Sequence, residues 1–348
     1  MRHRLLSLIC ILAFALPLVG CSPKAEMYST AVFAMDTVMN LTFYTENTKD
    51  HSDAVQREMV DTINALQSAL AVTDESSDVY EVNHSSGTPV QTEPSTADIL
   101  AEAQSLCEIT GGALDITAYP AVQAWGFTTG EYRIPESSEL DRLADSIDYS
   151  KLSVDLSELT VSLPAGMALD TGAVAKGYAG DRLKEILTEG GITSALLDLG
   201  QSSIQTVGEK PDGSPWRVGI QDPYGESYLG VLELRDQAMG TSGSYQRFFE
   251  EEGTRYCHII DPDTAAPARS GLASVTVVGN SCMMCDGLST ALFVMGLEEG
   301  SLFWREHPEL NFDVLFITEE GQLYLTQGLS EAFSLAKGYE DREVTILS

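Results

Sequence analysis

The segment that most constrains the fold spans residues 241–267 and has no helical periodicity: TSGSYQRFFEEEGTRYCHIIDPDTAAP. Side chains on a strand repeat every two residues, so Tyr256, His258 and Ile260 are predicted to share one face of a strand. The Asp-Pro pair that follows would end this strand. His258 would then lie near a strand end, where active-site groups often project. The alternative is that His258 is a structural residue of the strand.

Helical and strand patterns are interspersed along the rest of the chain without a regular βαβ period. Apolar spacings of three and four residues predict the first helix, and alternation or short apolar runs predict the strands. The predicted helices cover 51–70, 95–109, 173–189, 283–295 and 329–336. The predicted strands cover 28–46, 194–199, 216–221, 229–234, 254–260, 274–279 and 312–318. This order indicates an α+β fold with mixed sheets covered by helices.

The N-terminus has the pattern of a bacterial export signal. Arg2 and Arg4 precede an apolar run too short for a comfortable membrane span, and the run ends in Leu-Val-Gly before Cys21. This ending resembles a lipobox, which predicts a signal peptide over 1–20 and a diacylated Cys21. A tether over 21–29 and one domain over 30–340 would follow, held by lipid on the extracytoplasmic face of the cell membrane. The alternative is an ordinary signal peptide with a chance cysteine.

The chain is strongly acidic, with 52 Asp and Glu against 20 Lys and Arg and a net charge of −32. Loss of Arg2 and Arg4 with the signal would take the charge to −34. Such a surface repels polyanions, so nucleic acid is excluded as an expected partner. An anionic ligand would need a local cation.

Cys282 and Cys285 have the spacing of a redox pair or half a zinc site. No second such pair or nearby histidine pair completes a tetrahedral site, which argues against structural zinc. The pair is predicted to form either a disulfide or two buried thiols.

Asp286 and Thr290 are four residues apart in a predicted helix, so they share one helix face. A carboxylate and a hydroxyl that converge in this way suit a hard cation such as Mg²⁺. The alternative is that Asp286 caps the helix N-terminus while Thr290 only packs.

Residues 170–178, DTGAVAKGY, would begin another helix. Small residues allow close backbone approach, the helix N-terminus offers amides to an anion, and Lys176 adds a positive charge on the first turn. The alternative is a glycine-relaxed helix start with a solvated lysine. The spacing of a Walker loop is absent.

Together these segments resemble the ApbE-type FAD:protein FMN transferases, many of which are lipoproteins. The resemblance runs from about Phe33 to Phe333 and rests on blocks in the family's order. These are FAMDTVMN, ALDIT, LDTGAVAKGYAGDRL, TSGSYQRFF with YCHIIDP, and SVTVVGNSCMMCDGLSTALFVMG.

The resemblance implies a single T-fold-like α+β domain and a set of site residues. Mg²⁺ would be held by the side chains of Asp286 and Thr290 and by the carbonyl of Ala173, and His258 would activate the acceptor hydroxyl. The positions implied to line the FAD site are Met35, Thr73, Ala113, Leu114, Asp115, Asp170, Lys176 and Ile260. The implied reaction moves FMN from FAD onto a threonine or serine of an acceptor flavoprotein and releases AMP.

The chain departs from the family pattern at four places. Asp36 replaces the usual glycine after Met35, and residues 201–203, which follow Leu199-Gly200, read Gln-Ser-Ser in place of the family's G-G-[ND] pattern. Ala265-Ala266 stands where T-G-x-P usually continues, and Thr73 falls near a position linked to flavin retention versus turnover. Two other functions remain open: an FAD pyrophosphatase, in which water replaces the protein hydroxyl, and a non-catalytic FAD-binding lipoprotein.

The lipobox predicts that Cys21→Ser leaves the precursor uncleaved by the lipoprotein peptidase and without diacylglycerol. Mass spectrometry of protein from the native host should find the wild-type chain starting at a lipid-modified Cys21. An unmodified residue 21 at the N-terminus would contradict the lipobox assignment.

Overall fold

The computed structural model describes residues 25–348, so the predicted signal peptide and Cys21 lie outside the described residues. The helices are α1 Lys49–Leu70, α2 Asp78–His84, α3 Pro94–Ile109, α4 Tyr119–Ala124, α5 Ser137–Ala144, α6 Ala175–Glu189 and α7 Cys282–Glu306. None of these helices combines the length and the apolar composition needed to cross a bilayer.

The strands include several short ones at the edges of loops. They are β1 Glu26–Ala34, β2 Thr37–Thr45, β3 Val90–Gln91, β4 Ser153–Asp155, β5 Thr160–Ser162, β6 Ser194–Asp198, β7 Ser203–Gly208, β8 Trp216–Gln221, β9 Tyr228–Leu234, β10 Ala238–Gly243, β11 Phe248–Glu251, β12 Thr254–Cys257, β13 Ile260–Asp261, β14 Ala266–Pro267, β15 Leu272–Gly279, β16 Asp313–Thr318, β17 Leu323–Thr326, β18 Phe333–Leu335 and β19 Val344–Leu347.

Nine strands form the main sheet in the order β1-β2-β6-β7-β10-β15-β16-β17-β19. All neighbours are antiparallel except β17 and β19, which run parallel. The sheet extends past the predicted domain limits of 30–340, because β1 starts at Glu26 inside the predicted tether and β19 ends at Leu347.

The main sheet is covered on both faces. On one face α1, α6 and α7 pack through Met59, Leu183 and Leu288 against strand residues that include Val275 and Val277 of β15. On the other face lies the small sheet β18-β9-β8, whose apolar side chains form a separate core with β15, β16 and β17. β15 is buried along its whole length, including its polar residues Ser274 and Thr276.

The predicted α+β class is confirmed, and four of the five predicted helices correspond to α1, α3, α6 and α7, although α7 continues to Glu306, beyond the predicted end. The predicted end of the fourth helix at Met295 coincides with a break in α7 at Gly296, where φ is +80°. The predicted helix over 329–336 is wrong: a single 3₁₀ turn at Gln327–Leu329 is followed by β18. This strand is held by pairing with β9, a tertiary contact that local spacing does not report.

The cysteines of α7 are two buried thiols rather than a disulfide. Burial raises the pKa of both Cys282 and Cys285 well above the usual thiol range, since the charged thiolate is disfavoured in an apolar environment. They pack in the core between α7 and the sheet and are chemically inert by this criterion.

The N-terminus of α7 is fixed by a side chain of α6. Asp181 accepts hydrogen bonds from the Cys282 amide at 2.8 Å, the Met283 amide at 3.0 Å and the Ser281 hydroxyl at 2.7 Å. The two amides are among those that a helix leaves unsatisfied at its start, and a carboxylate there also complements the helix dipole. Asp181 therefore sets where α7 begins relative to α6.

We expect Asp181→Ala to lower the free energy of unfolding by about 1–3 kcal/mol, because it removes a charged acceptor from three donors. The matched control is Glu185→Ala, one turn further along α6, where an exposed ion pair with Arg182 is lost; we expect its effect to be within about 0.5 kcal/mol. Urea unfolding of both variants measures the difference. Equal stabilities would contradict the capping role.

Candidate active site

The candidate site forms where α6 and α7 begin, beside the ends of β7 and β10. Gly177 lets α6 approach α7 so closely that a Cβ there would lie 2.3 Å from the Cys282 carbonyl oxygen. Gly240 of β10 approaches the other side of α7, where a Cβ would lie 2.5 Å from the Asp286 amide nitrogen. These two contacts place Asp286 between α6 and the sheet.

Asp286 lies in the second turn of α7 and does not cap it, since Ser281 occupies the cap position. Its Oδ2 accepts hydrogen bonds from the Gly177 amide and the Ser203 hydroxyl, both at 2.8 Å. Its Oδ1 has no donor among the described residues. Burial raises the pKa of Asp286 to about 7, and the charge of Lys176 and the two hydrogen bonds oppose this rise.

The atoms around Asp286 fit a hard cation. The Gly177 amide would bond to the Ala173 carbonyl in a regular helix, but it donates to Asp286 instead, so the Ala173 oxygen is left without a donor among the described residues. The Thr290 hydroxyl lies one turn beyond Asp286 and bonds to the Ser242 hydroxyl at 3.0 Å. A carboxylate, a carbonyl and a hydroxyl are oxygen ligands of the kind that Mg²⁺ prefers.

Among residues 25–348 no three His, Cys, Asp or Glu side chains come together in a metal-binding arrangement. A cation at this site would be held by one carboxylate, that of Asp286, and by neutral oxygens. Such a site keeps room for water or for substrate oxygens, as Mg²⁺ sites commonly do.

Lys176 lies on the first turn of α6, half-buried, with its ammonium donating to the Ser202 hydroxyl at 2.5 Å. Its charge acts on both Asp286 and His258. It is therefore not a solvated lysine remote from the site but a cation shared by the two predicted functional groups.

His258 lies in the bend between β12, which ends at Cys257, and β13, which begins at Ile260. The continuous strand predicted over 254–260 is thus interrupted at the histidine. Its Nδ1 lies 3.2 Å from the Arg247 carbonyl oxygen. Since a carbonyl can only accept, Nδ1 carries the proton in the neutral ring, and Nε2 keeps the lone pair that a base needs.

An unperturbed histidine would titrate near pH ~6.5. In the folded chain desolvation, aided by the positive charges of Arg247 and Lys176, lowers the pKa of His258 to about 4. His258 is therefore neutral at physiological pH.

Arg247 and Ser203 are the site residues that motif analysis missed. Arg247 donates to the Phe127 carbonyl at 2.9 Å, and its charge acts on both Asp170 and His258. Asp170 accepts from the Gly172 amide at 2.7 Å, and burial raises its pKa. The available sequence signal for Arg247 was its place in the TSGSYQRFF block. The signal for Ser203 was the departure from the family pattern at 201–203.

Two predicted flavin-lining positions lie near the turn between β1 and β2 and the end of α1. Met35 and Asp36 form a two-residue turn with φ of +50° and +59°, which the aspartate that replaces glycine tolerates. The Met35 amide donates to Gln67 of α1 at 2.7 Å. Thr73 lies in an exposed turn after α1.

The remaining predicted positions serve the packing around the site. Asp115 accepts from the amide and hydroxyl of Thr117 and from the Tyr149 amide, so its carboxylate holds the loop. Ala113 and Leu114 pack in the core between α3 and α6, whereas Ile260 packs in a separate cluster with Trp125 and Phe127. The structure thus joins Lys176, Asp286 and His258 through shared charge, and brings Asp170 to them through Arg247.

Comparison with known proteins gives one consistent result. The model of the ApbE family matches residues 35–315. Relatives named FAD:protein FMN transferase include one from Vibrio cholerae, 32% identical over 86% of this chain and 90% of its own, and one from Haemophilus influenzae, 31% identical over 91% and 94%. Among solved structures, the ApbE protein from Thermotoga maritima has a TM-score of 0.82 at 27% identity, covering 88% of this chain and 99% of its own. The flavin transferase ApbE from Vibrio cholerae has 0.78 at 30% identity, covering 88% and 99%.

The low pKa of His258 is directly measurable. We expect one histidine signal in a two-dimensional NMR titration to have its midpoint near pH 4, and to vanish in His258→Asn. Because a histidine with a lowered pKa in the folded state stabilises the fold above its unfolded pKa, that contribution should be lost as the pH falls from ~6.5 towards 4. A midpoint near the unperturbed value would contradict the desolvated environment.

Proposed function

Because this chain belongs to the ApbE family, we propose that it is a transferase that moves FMN from FAD to a threonine or serine hydroxyl of an acceptor flavoprotein. The family membership predicted from the motif blocks is confirmed by the match over residues 35–315. The observation that carries the proposal is the set of contacts that links Lys176 to Asp286 through the adjacent Ser202 and Ser203, with the charge of Lys176 acting on His258 as well. Simple FAD storage would not need a base beside a cation site.

The chain's own groups support a direct displacement at phosphorus. Lys176 and the helix amides bind and orient the diphosphate of FAD. His258 Nε2 accepts the proton of the acceptor hydroxyl, whose oxygen bonds to the FMN-side phosphorus. The bond between that phosphorus and the bridging oxygen breaks, and AMP leaves with that oxygen. Asp286, Thr290 and the Ala173 carbonyl would hold Mg²⁺, which when bound would neutralise phosphate charge.

We further propose that Cys21 anchors the enzyme to the extracytoplasmic face of the cell membrane through its lipid. The support is the lipobox-like sequence that ends at Cys21. The acceptor would then be a protein of the same compartment or a membrane redox subunit exposed there.

The products of one incubation test this function. Purified protein is mixed with FAD, Mg²⁺ and an acceptor fragment, and all species are weighed by mass spectrometry. We expect AMP together with an acceptor that is heavier by one FMN. AMP with free FMN would instead indicate a pyrophosphatase, and unchanged FAD would indicate a binding protein.

We expect Asp286→Ala to remove most of the Mg²⁺-dependent transfer, because the only carboxylate of the proposed cation site is lost. The transfer rate across a Mg²⁺ titration measures this. Wild-type activity of the variant at low Mg²⁺ would overturn the metal assignment.

We expect His258→Asn to slow the single-turnover rate of transfer by about 10²–10⁴ while FAD affinity stays within a few-fold, because a general base acts on the acceptor and not on FAD. Melting temperature, FAD affinity and single-turnover rate are measured on the same variant. If stability and FAD affinity fall together while the folded fraction turns over normally, His258 is structural.

A further inference from the structure

The turn between β6 and β7 brings two adjacent hydroxyls to two charges of the site. Ser202 accepts the hydrogen bond of Lys176, and Ser203 donates to Oδ2 of Asp286. Neighbouring side chains on a regular strand would lie on opposite faces. Here Ser202 precedes the strand, in a turn where Gly200 and Gln201 have φ of +96° and +68°.

This turn is itself held rigidly. Asp198 Oδ1 accepts from the amides of Gly200 and Gln201, at 3.1 Å and 2.6 Å. The Ser202 carbonyl accepts from the Thr241 amide of β10 at 2.7 Å. Both serines are buried. The backbone of the turn thus places their hydroxyls beside Lys176 and Asp286.

The two oxygens of Asp286 are consequently different. Oδ2 is occupied by Ser203 and Gly177, while Oδ1 has no donor among the described residues. Lys176 influences Asp286 but makes no ion pair with it within 4.0 Å, although a buried carboxylate beside an ammonium gains from pairing. The bond to Ser202 holds the ammonium away.

We propose that Ser202 and Ser203 are positioning residues: Ser203 orients the Asp286 carboxylate so that Oδ1 stays free for a cation, and Ser202 keeps the Lys176 ammonium from taking that place. The proposal rests on the assignment of Asp286 as a metal ligand. It assigns a role to the 201–203 segment, where this chain departs from the pattern of its family.

Mn²⁺ binding to the FAD-free protein, followed by electron paramagnetic resonance, tests the role of Ser203 without any turnover. We expect Ser203→Ala to weaken Mn²⁺ affinity by about 10-fold or more, as loss of a ligand-orienting partner typically does. The matched control is Ser194→Ala in the neighbouring strand β6, a buried serine whose hydroxyl has no partner; its Mn²⁺ affinity should equal that of the wild type.

A double-mutant cycle with Lys176 tests the role of Ser202. If Ser202 were only structural, its substitution would have the same effect with and without Lys176. Ser202→Ala should weaken Mn²⁺ affinity about threefold or more, because the freed Lys176 competes for Asp286. In a Lys176→Met background the same change should have an effect within about twofold, since no ammonium remains to compete. This cycle still decides the proposal if Ser203→Ala does not fold.

Asp286→Asn separates failure of this proposal from failure of the metal assignment. If it binds Mn²⁺ as the wild type does, the metal assignment is wrong. If it loses Mn²⁺ while Ser203→Ala matches Ser194→Ala, or while Ser202→Ala has the same effect in both backgrounds, the positioning roles are wrong and the metal site stands.

Discussion

The docking of the α7 N-terminus on α6 is the constraint on which the rest of the site depends. Asp181 gathers three donors of that terminus, and Gly177 removes the side chain that would separate the two helices. The same approach lets the Gly177 amide turn from its helical partner, the Ala173 carbonyl, to Asp286. One packing contact thus frees a carbonyl oxygen and orients a carboxylate at the same place.

That arrangement places the carboxylate of Asp286 in the protein interior, where its charged form is unfavourable. Asp286 is buried, and its raised pKa shows that two hydrogen bonds and the nearby Lys176 do not offset its desolvation. A bound cation would offset it. Functional sites commonly retain such locally unfavourable groups. Here the desolvated group is Asp286, the residue that the cation would contact.

The lowered pKa of His258 also results from burial and neighbouring charges. Arg247 and Lys176 both disfavour the imidazolium, and both would attract an anionic substrate. We expect a diphosphate bound between them to raise the pKa of His258, since it cancels two of the three causes of the shift. The base would then be stronger when substrate is present, which a titration with and without FAD measures.

Sequence reasoning reached the fold class and the long helices because each has a local signal, and it proposed the chemistry-bearing residues from local signals as well. The apolar spacing from Val55 to Leu70 specifies α1, and the i, i+4 pair of Asp286 and Thr290 specifies one helix face. It failed for β18, whose strand form depends on pairing with β9, and at His258, where the chain bends between two short strands.

Sequence analysis did not identify Ser203 and Arg247 as site residues, for a different reason. A serine at the start of a strand and an arginine just before one carry no signal of their own. Their roles exist only through contacts 83 residues away in the chain for Ser203 and 120 for Arg247. The spacing of Asp286 and Thr290 could indicate a cation site. It could not indicate whether the carboxylate caps the helix, pairs with a cationic side chain or keeps an oxygen free for a cation. That distinction is set by the positions of Gly177, Ser202 and Ser203, and it separates a packed helix start from a cation site.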